Sequence, residues 1–355
     1  MTTSFWAGKR VLLTGHTGFK GSWLSMWLQS LEANLHGFSL PTDASRNRMF
    51  LEAEVGRDMQ SLAGDIRDRE SVQRAFDLSR PEIVFHLAAQ PLVAESYRTP
   101  AETFETNVMG TVNLLDAVRT SPDVQSVVIV TTDKCYENRG WVWGYRETDR
   151  LGGDDPYSAS KAAAELVTAS YRKSFFSETA RGVSIVSARA GNVIGGGDFT
   201  EGRLVPDVIA ATQGGVDCRL RNPTATRPWQ HVLEPLSGYL VLAERSVTEN
   251  ADWGGAWNFG PSADDVATAQ TVAQEVIDAW GSTSKVIVQS AGYREAALLA
   301  LDSTKAKATL GWTPRLHRLE AIEWTVEWAK RRADGEKVPA ITIDQLVRYQ
   351  KRNQL

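Results

Sequence analysis

Tyr157 and Lys161 stand four residues apart in the segment Tyr157-Ser158-Ala159-Ser160-Lys161, which the sequence pattern predicts to begin a helix. Residues at this spacing share one helix face, so the phenol and the ammonium would lie side by side. A phenol titrates near about 10, and nearby positive charge favours its phenolate. The pair could therefore act as a base toward a substrate hydroxyl.

A second group of polar side chains, Thr132, Asp133 and Lys134, ends the predicted strand 126–132. The carboxyl ends of strands in a parallel sheet face the ligand crevice. Thr132 could hydrogen-bond a substrate hydroxyl there, while Asp133 and Lys134 place an acid beside a base. A solvated strand end with a local ion pair would show the same three residues.

The third feature is a glycine-rich turn between a predicted strand at 10–14 and an apolar helix at 19–32. It reads Gly15-His16-Thr17-Gly18-Phe19-Lys20-Gly21. Glycines at this spacing permit a tight turn, close approach of a pyrophosphate and close helix-to-strand packing, with the helix N-terminus facing the phosphates. The strand and helix on either side are the context that makes the motif specific, so the sequence predicts a dinucleotide site.

Other segments are predicted to line the same pocket. We expect Asp65 and Ile66 beside the adenine, and Asn107 to order a water or a backbone carbonyl near Tyr157 and Lys161. The remaining predicted cofactor contacts lie at strand ends and are Leu87, Ala88, Ala89, Gln90 and Thr131. The second strand has no acidic residue at its tip, so NAD and NADP both stay open on these residues.

The elements that must position these groups alternate along the first half of the chain. Apolar strands are predicted at 10–14, 34–40, 83–87, 126–132 and 183–189, and helices at 19–32, 69–80, 101–120 and 157–177. This alternation predicts an α/β fold with a Rossmann-type, doubly wound parallel sheet. We expect a dinucleotide-binding domain over 1–190 and a smaller C-terminal substrate-binding lobe over 191–355, with the chain crossing back to the first domain and helices at 233–245 and 266–279.

Composition excludes several classes of protein. The chain has 355 residues, 42% of them hydrophobic, and a formal net charge of -4, which argues against a nucleic-acid-binding surface. Its two cysteines, Cys135 and Cys218, lie too far from other ligand residues to suggest a disulfide framework or a metal site. No signal sequence or membrane span is predicted. We therefore expect a cytoplasmic protein.

Together, the glycine turn, Asn107, Thr132 and the Tyr157/Lys161 pair resemble the nucleotide-sugar branch of the extended short-chain dehydrogenase/reductase superfamily. More narrowly, Gly15 to Trp23, Thr132-Asp133-Lys134 and the stretch Arg227 to Val232 resemble the CDP-glucose 4,6-dehydratases. The resemblance covers nearly the whole chain. It implies NAD as cofactor, CDP-glucose as substrate, a homodimer formed through helices 101–120 and 157–177, and a place in deoxysugar biosynthesis such as that of lipopolysaccharide O-antigen.

The resemblance also implies roles for individual residues. In this family the sugar is oxidised at C4, water is eliminated across C5 and C6, and the hydride returns to C6. Tyr157 would be the C4 hydroxyl base, Lys161 would hold the nicotinamide ribose and lower the phenol pKa, and Thr132 would bind the C4 oxygen. Asp133 would protonate the departing C6 hydroxyl, and Lys134 would be the C5 base.

A substrate lobe is expected to contribute the remaining contacts. Asn192, Arg203 and Leu204 match the sugar and nucleotide loops of this branch, and guanidinium forks suit a diphosphate. The predicted diphosphate partners are Arg219, Arg221 and Arg227.

Two positions depart from the family pattern. The related dTDP-glucose dehydratases carry Asp-Glu where this chain has Asp133-Lys134, so a lysine stands in the place of their C5 base. The segment Tyr293-Arg294-Glu295-Ala296 replaces an expected His-Glu-Ala near the nucleotide, and Tyr293 is a predicted substrate contact.

Two other functions remain open at this point. A nucleotide-sugar 4-epimerase or decarboxylase shares the fold, although an epimerase needs no acid at C6. A catalytically silent NAD-sensing regulator could dispense with Tyr157 and Lys161, both of which are present.

Overall fold

The structure, a computed structural model, describes residues 3–176, 182–249, 252–289 and 298–352. The strands are β1 (Arg10–Thr14), β2 (Asn34–Ser39), β3 (Gln60–Ala63), β4 (Ile83–His86), β5 (Ser126–Val130), β6 (Ser184–Ala190), β7 (Asn192–Ile194), β8 (Cys218–Leu220), β9 (Thr226–His231), β10 (Gly255–Phe259), β11 (Val266–Thr268) and β12 (Val286–Val288). The helices are α1 (Thr3–Trp6), α2 (Phe19–Ser30), α3 (Arg48–Glu52), α4 (Arg69–Ser79), α5 (Val93–Arg98), α6 (Pro100–Phe104), α7 (Gly110–Thr120), α8 (Pro156–Tyr171), α9 (Leu204–Gln213), α10 (Leu233–Thr248), α11 (Ala269–Trp280), α12 (Arg318–Ala333) and α13 (Val338–Lys351).

Seven parallel strands form the central sheet in the order β10-β6-β5-β4-β1-β2-β3. Strands β4 and β5 are buried along their whole length, as expected when helices cover both faces of a parallel sheet. One face packs against α2 and α10, and the other against α4, α7 and α8. The order reverses between β1 and β4, so the doubly wound fold predicted from the sequence is confirmed.

A smaller layer follows the central sheet. Strands β11, β9 and β7 form one sheet, β12 and β8 form another, and α9, α11 and α12 pack beside them around Val208, Val272 and Ile322. Strand β10, although late in the chain, pairs with β6 in the central sheet. The carboxyl end of β6 leads directly into β7, so the second layer begins at the edge where the catalytic candidates lie.

Two predicted helices are interrupted. The helix expected at 101–120 contains the π-helical turn Glu105–Met109 between α6 and α7, and Asn107 lies within it. The helix expected at 266–279 begins with strand β11, because Val266–Thr268 pairs antiparallel with β9 before α11 starts. At 266–268 the pairing with β9 therefore overrides the local helical pattern.

Candidate active site

Helix α8 presents Tyr157 and Lys161 on one buried face. Asp155 caps its N-terminus by accepting hydrogen bonds from the backbone N–H of Ser158 at 2.9 Å and from the Ser158 hydroxyl at 2.6 Å. Pro156 occupies the first helical position, where no amide hydrogen is needed. The relative exposures of Tyr157 and Lys161 are 8% and 7%. The helix therefore begins at a defined residue and places the side chains of Tyr157 and Lys161 in a buried site.

Burial shifts the pKa of both groups. It raises the pKa of Tyr157 to about 12, against a hydrogen bond with Thr132 that lowers it. Burial lowers the pKa of Lys161 to about 8, while the charge of Glu165 opposes that fall. The Lys161 ammonium donates to the Val130 carbonyl at 3.4 Å. The phenolate predicted from the sequence therefore needs positive charge beyond that of the chain itself.

The end of β5 places Thr132, Asp133 and Lys134 beside this pair. One carboxylate oxygen of Asp133 accepts from the Thr132 hydroxyl at 3.0 Å and from the Lys134 ammonium at 3.1 Å. Lys134 also donates to Asn192 Oδ1 at 3.1 Å, which joins the strand end to β7. The second oxygen, Oδ2, is buried and has no partner among the described residues. A buried carboxylate oxygen without a partner is costly, so it is suited to a substrate hydroxyl.

The glycine turn joins β1 to α2 as predicted. Gly15 has φ +74°, and a Cβ there would lie 2.6 Å from the backbone nitrogen of Ala88, so the packing of the chain itself demands glycine. Gly18 differs, because a Cβ there would meet only the Gly15 carbonyl at 3.4 Å. The space over Gly18, at the N-terminus of α2, is therefore open to a phosphate group.

The side chains of this turn point in different directions. The His16 ring lies between two hydroxyls, 3.0 Å from Ser39 Oγ and 2.7 Å from Ser61 Oγ, and burial lowers its pKa to about 4. The backbone carbonyl of Thr17 accepts from Asn47 at 3.1 Å. Phe19 packs against the core of the α2 face. The side chains of His16 and Phe19 thus serve packing within the chain.

Lys20 is coupled to the catalytic candidates. Desolvation lowers its pKa to about 7, and the positive charges of Arg203 and Lys161 lower it further while Asp133 opposes them. The sequence motif placed Lys20 at the dinucleotide turn, and its charge is also felt at the end of β5. Sequence spacing alone gives no sign of this coupling, because it depends on how α2 faces the sheet edge.

Asn107 fixes the segment after β4. Its Oδ1 accepts from the backbone N–H of Gln90 at 2.9 Å, and its Nδ2 donates to the Gln90 carbonyl at 3.1 Å and to Ser160 Oγ at 2.8 Å. Leu87, Ala88 and Ala89 lie between β4 and this clamp. Asn107 therefore binds a backbone carbonyl, one of the two roles expected of it, and ties the predicted cofactor segment to α8.

Two predicted cofactor contacts have partners within the chain. The Asp65 carboxylate accepts from Arg67 Nη2 at 2.6 Å and from the Arg67 backbone N–H at 2.9 Å, while Ile66 is buried beside Gly110. The Thr131 hydroxyl donates to Glu165 at 2.5 Å. These interactions hold the loop and the strand end in shape, and their roles toward a cofactor stay predictions.

Some of the predicted substrate residues lie near the catalytic candidates or are buried, and others are exposed at the surface. Arg203, at the start of α9, pairs with Asp198 at 3.0 Å and lowers the pKa of Tyr157, so it lies within electrostatic reach of the catalytic candidates. Leu204 begins α9. Arg227 is buried on β9, whereas Arg219 and Arg221 are exposed. Arg221 donates to the Gly202 carbonyl at 3.1 Å, and Tyr293 lies outside the described residues.

Sequence reasoning missed a buried ion pair between Glu165 and Arg189, 2.8 Å apart. Glu165 stands one helical turn after Lys161, so the same i, i+4 spacing that singled out the Tyr157/Lys161 pair could have found it. Within the described ranges, no group of three or more His, Cys, Asp or Glu side chains could hold a metal ion, and no helix is long and apolar enough to span a bilayer.

Comparisons with known proteins identify relatives of this chain. The model of the GDP-mannose 4,6 dehydratase family matches residues 12–325. The CDP-glucose 4,6-dehydratase of Salmonella typhimurium is 47% identical over 339 residues, which cover 94% of this chain and 94% of that protein.

Solved structures share the fold. The UDP-glucose 4-epimerase of Thermus thermophilus, in complex with NAD, has a TM-score of 0.77 at 27% identity and covers 90% of this chain and 99% of that one. The UDP-glucose 4-epimerase of Thermotoga maritima, with UDP-glucose, has a TM-score of 0.79 at 24% identity and covers 91% and 99%.

Proposed function

This chain belongs to the GDP-mannose 4,6-dehydratase family and, within it, to the CDP-glucose 4,6-dehydratases, and from that premise we propose that it dehydrates CDP-glucose to CDP-4-keto-6-deoxyglucose. Each turnover removes one water from the sugar and leaves no net oxidation. The observation that carries the proposal is the end of β5, near Tyr157, where Asp133 accepts from the Lys134 ammonium through Oδ1 and has no partner among the described residues at Oδ2.

NAD is the cofactor, as in the 27% identical epimerase from Thermus thermophilus. The open space over Gly18 fits its pyrophosphate, and Gly15, Thr17 and the backbone of Lys20 would hold it at the N-terminus of α2. Leu87 to Gln90, Asn107 and Thr131 would line the nicotinamide half, with Asp65 and Ile66 at the adenine half. When bound, NAD supplies a hydride acceptor for C4 and a donor for C6.

Tyr157 takes the proton from the C4 hydroxyl. The Thr132 hydroxyl holds the C4 oxygen and already lowers the pKa of the phenol. Lys161, charged below its pKa of about 8, holds the nicotinamide ribose and adds positive charge near the phenol. These roles follow from helix α8, which keeps both groups buried on one face.

The Asp133 and Lys134 side chains carry out the elimination of water. The 4-ketone acidifies the C5 proton, so a modest base is sufficient to remove it. Lys134 stands at the family's C5-base position, where Asp133 and Asn192 orient it at 3.1 Å each. For this step the proton of the Asp133/Lys134 pair must lie on Asp133: the neutral Lys134 amine takes the C5 proton, and Asp133 donates its own proton through Oδ2 to the departing C6 hydroxyl, which leaves as water. The pair is then the carboxylate and ammonium seen in the structure.

The second lobe binds the nucleotide diphosphate. Arg203 and Leu204 at the start of α9, with Asn192 on β7, lie beside the sugar, and Arg227 on buried β9 pairs with a phosphate. Arg219, Arg221 and Tyr293 are proposed as contacts farther out on the nucleotide. Guanidinium groups pair two phosphate oxygens at once, which favours arginine at these positions.

A 4-epimerase or decarboxylase of the same fold is the second candidate. An epimerase needs no proton donor at C6, so the unpartnered Asp133 oxygen favours dehydration. A silent NAD-sensing regulator has no use for the Tyr157/Lys161 pair. The test is a panel of CDP-, dTDP-, UDP- and GDP-glucose. We expect a 4-keto-6-deoxy product from CDP-glucose, with kcat/KM at least about tenfold above the other three, an advantage of about 1.4 kcal/mol. A galacto-configured product would contradict the dehydratase and support the epimerase.

We also propose a cytoplasmic homodimer that acts in deoxysugar biosynthesis, such as that of lipopolysaccharide O-antigen. Its support is apolar exposure on and beside the two helices expected at the dimer face. Leu166 on α8 is 60% exposed, and Met109 just before α7 is 50% exposed. Both cysteines are buried and free, which fits a reducing compartment. A monomer in light scattering would contradict the dimer.

A further inference from the structure

Glu165 is a buried carboxylate to which the proposed reaction assigns no role. One of its oxygens accepts from Thr131 Oγ1 at 2.5 Å. The other accepts from Ser187 Oγ at 2.6 Å and from Arg189 Nη2 at 2.8 Å. Only 3% of its side chain is exposed. Three donors on a fully buried carboxylate keep it charged and immobile.

These donors connect α8 to the two strands that flank the site. Thr131 immediately follows β5 and precedes Thr132, the partner of Tyr157, while Ser187 and Arg189 belong to β6. Arg189 continues the network through Nη1 to the Tyr136 hydroxyl at 2.7 Å. The Glu165 carboxylate thus joins the helix that carries Tyr157 and Lys161 to the strand end that carries Thr132.

Glu165 is also the buried carboxylate one helical turn after Lys161 on α8, and its charge raises the pKa of that ammonium. The titratable groups near this ammonium include Tyr157 and Glu165 on α8, Cys135 after β5, His86 on β4 and Lys20 on α2. Burial raises the pKa of the Cys135 thiol and lowers the pKa of His86 to about 3, so both are neutral near pH 7. Burial lowers the pKa of Lys20 to about 7, and its protonated form opposes charge on Lys161. Burial raises the pKa of Tyr157 to about 12, so it is neutral near pH 7 as well, and among these groups Glu165 supplies the negative charge that offsets the cost of a buried ammonium.

The charge of Glu165 is itself secured by its partners. Burial alone would raise its pKa, but the charge and hydrogen bond of Arg189 and the hydroxyls of Ser187 and Thr131 outweigh it and hold the pKa below its usual value. The carboxylate therefore stays ionised through the whole range in which Lys161 titrates.

We propose that Glu165 is a positioning residue for the oxidation step, whose carboxylate keeps Lys161 an ammonium and fixes Thr132 against Tyr157. The inference rests on the proposed function, because it concerns the groups that take the C4 proton. A purely structural ion pair would stabilise the fold without affecting the protonation of Lys161. The two roles are separable by measuring the titration of Lys161 itself.

The experiment compares the full chain with Glu165→Gln, which keeps the side-chain shape and removes the charge. Lysines labelled with carbon-13 at Cε are titrated by NMR without added ligand, and Lys161→Met assigns the signal. We expect Lys161 to titrate near pH 8 in the unaltered chain and at least about 1 pH unit lower in Glu165→Gln. An unchanged titration would overturn the proposal.

The pH profile of kcat/KM supplies a second readout. Lys161 is charged below its pKa, so activity that needs the ammonium falls as the pH rises through that value. We expect this alkaline limb to move down in Glu165→Gln by the same shift, and to return in Glu165→Asp. Glu234→Gln is the matched control, because it removes another buried carboxyl, on α10, that bonds to Leu316 and Tyr349. A loss of activity equal at every pH would indicate a structural role alone.

Glu165→Gln leaves the buried Arg189 without its charged partner, which destabilises the fold. The double variant Glu165→Gln/Arg189→Met removes both charges of the ion pair, so neither partner is left unpaired. The titration of Lys161 is measured in this variant in the same way. Failure of this inference and failure of the proposed function are distinguishable. The titration needs neither cofactor nor substrate, whereas an unaltered chain that does not dehydrate CDP-glucose contradicts only the function.

Discussion

Two groups of polar side chains differ in how they are placed. The strand-edge cluster consists of Thr132, Asp133, Tyr157 and Lys161, and the outer arginines are Arg219 and Arg221. The cluster is almost fully buried, with exposures between 0% and 8%, and its members bond to one another or to the backbone. The outer arginines are exposed at the surface of the second layer.

This difference in burial separates the proposed reacting groups from the proposed substrate-binding arginines. In the dry cluster, loss of hydration moves the pKa of Tyr157 up and that of Lys161 down, so each neighbouring charge has a large effect. At the exposed arginines, solvent and salt screen the charge, so each contributes little by itself. We therefore expect substitutions in the cluster to abolish steps and substitutions at the outer arginines to change KM.

The largest expected effect is at Tyr157. Tyr157→Phe removes the proton acceptor for the C4 hydroxyl while keeping the ring in its buried site. We expect turnover of CDP-glucose to fall by about 10³-fold, with no build-up of reduced nicotinamide absorbance. Tyr239→Phe is the control, because its hydroxyl is also buried and has no partner within the described ranges. Full turnover by Tyr157→Phe would contradict a catalytic role for the strand-edge cluster.

The second effect separates the two steps within the cluster. Lys134→Met should still oxidise C4 but stall before elimination, because no group remains to take the C5 proton. We expect product formation to fall by roughly 10²-fold and deuterium exchange at C5 to disappear, measured by mass spectrometry in heavy water. Lys307→Met, an exposed lysine, is the control. Normal exchange at C5 in Lys134→Met would assign the base role elsewhere.

The third effect tests the comparison directly. Arg227 is 6% exposed, and its replacement by Gln should raise KM for CDP-glucose by about tenfold or more, since a charged hydrogen bond in a dry site contributes about 1.5–3 kcal/mol. Arg219→Gln, at an exposed position, should raise KM by less than about threefold, and less again in high salt. Equal effects of the two replacements would show that burial does not decide the contribution of these arginines.

The smallest effect concerns the turn that holds the cofactor. Gly18→Ala adds a Cβ in space that the chain leaves open, so we expect an unchanged Tm and an NAD Kd about tenfold higher, measured by calorimetry. Gly15→Ala is the contrast, because its positive φ and its contact with Ala88 make any Cβ destabilising. If Gly18→Ala lowers Tm instead, the turn is packed at both positions.

The long apolar elements were predictable from the sequence because their pattern is local. Strand β1 and the start of α2 agree with the prediction to the residue, and α4 differs at its end by one residue. Strands β3 and β10 were missed. Gln60–Ala63 is polar and mostly exposed, and Gly255–Phe259 follows a glycine-rich loop, so only pairing with β2 and β6 makes them strands.

The sequence by itself determined the glycine turn, the helix face of Tyr157 and Lys161 and the strand end at Asp133, because each depends on spacing along one element. Only the tertiary structure decided how these elements face one another. Burial then set the pKa of Tyr157 and Lys161 and left Asp133 Oδ2 without a partner among the described residues, and packing brought Arg189 to Glu165 and Lys20 near Lys161. Hydration and charge coupling act through space, so residues far apart in the chain control them.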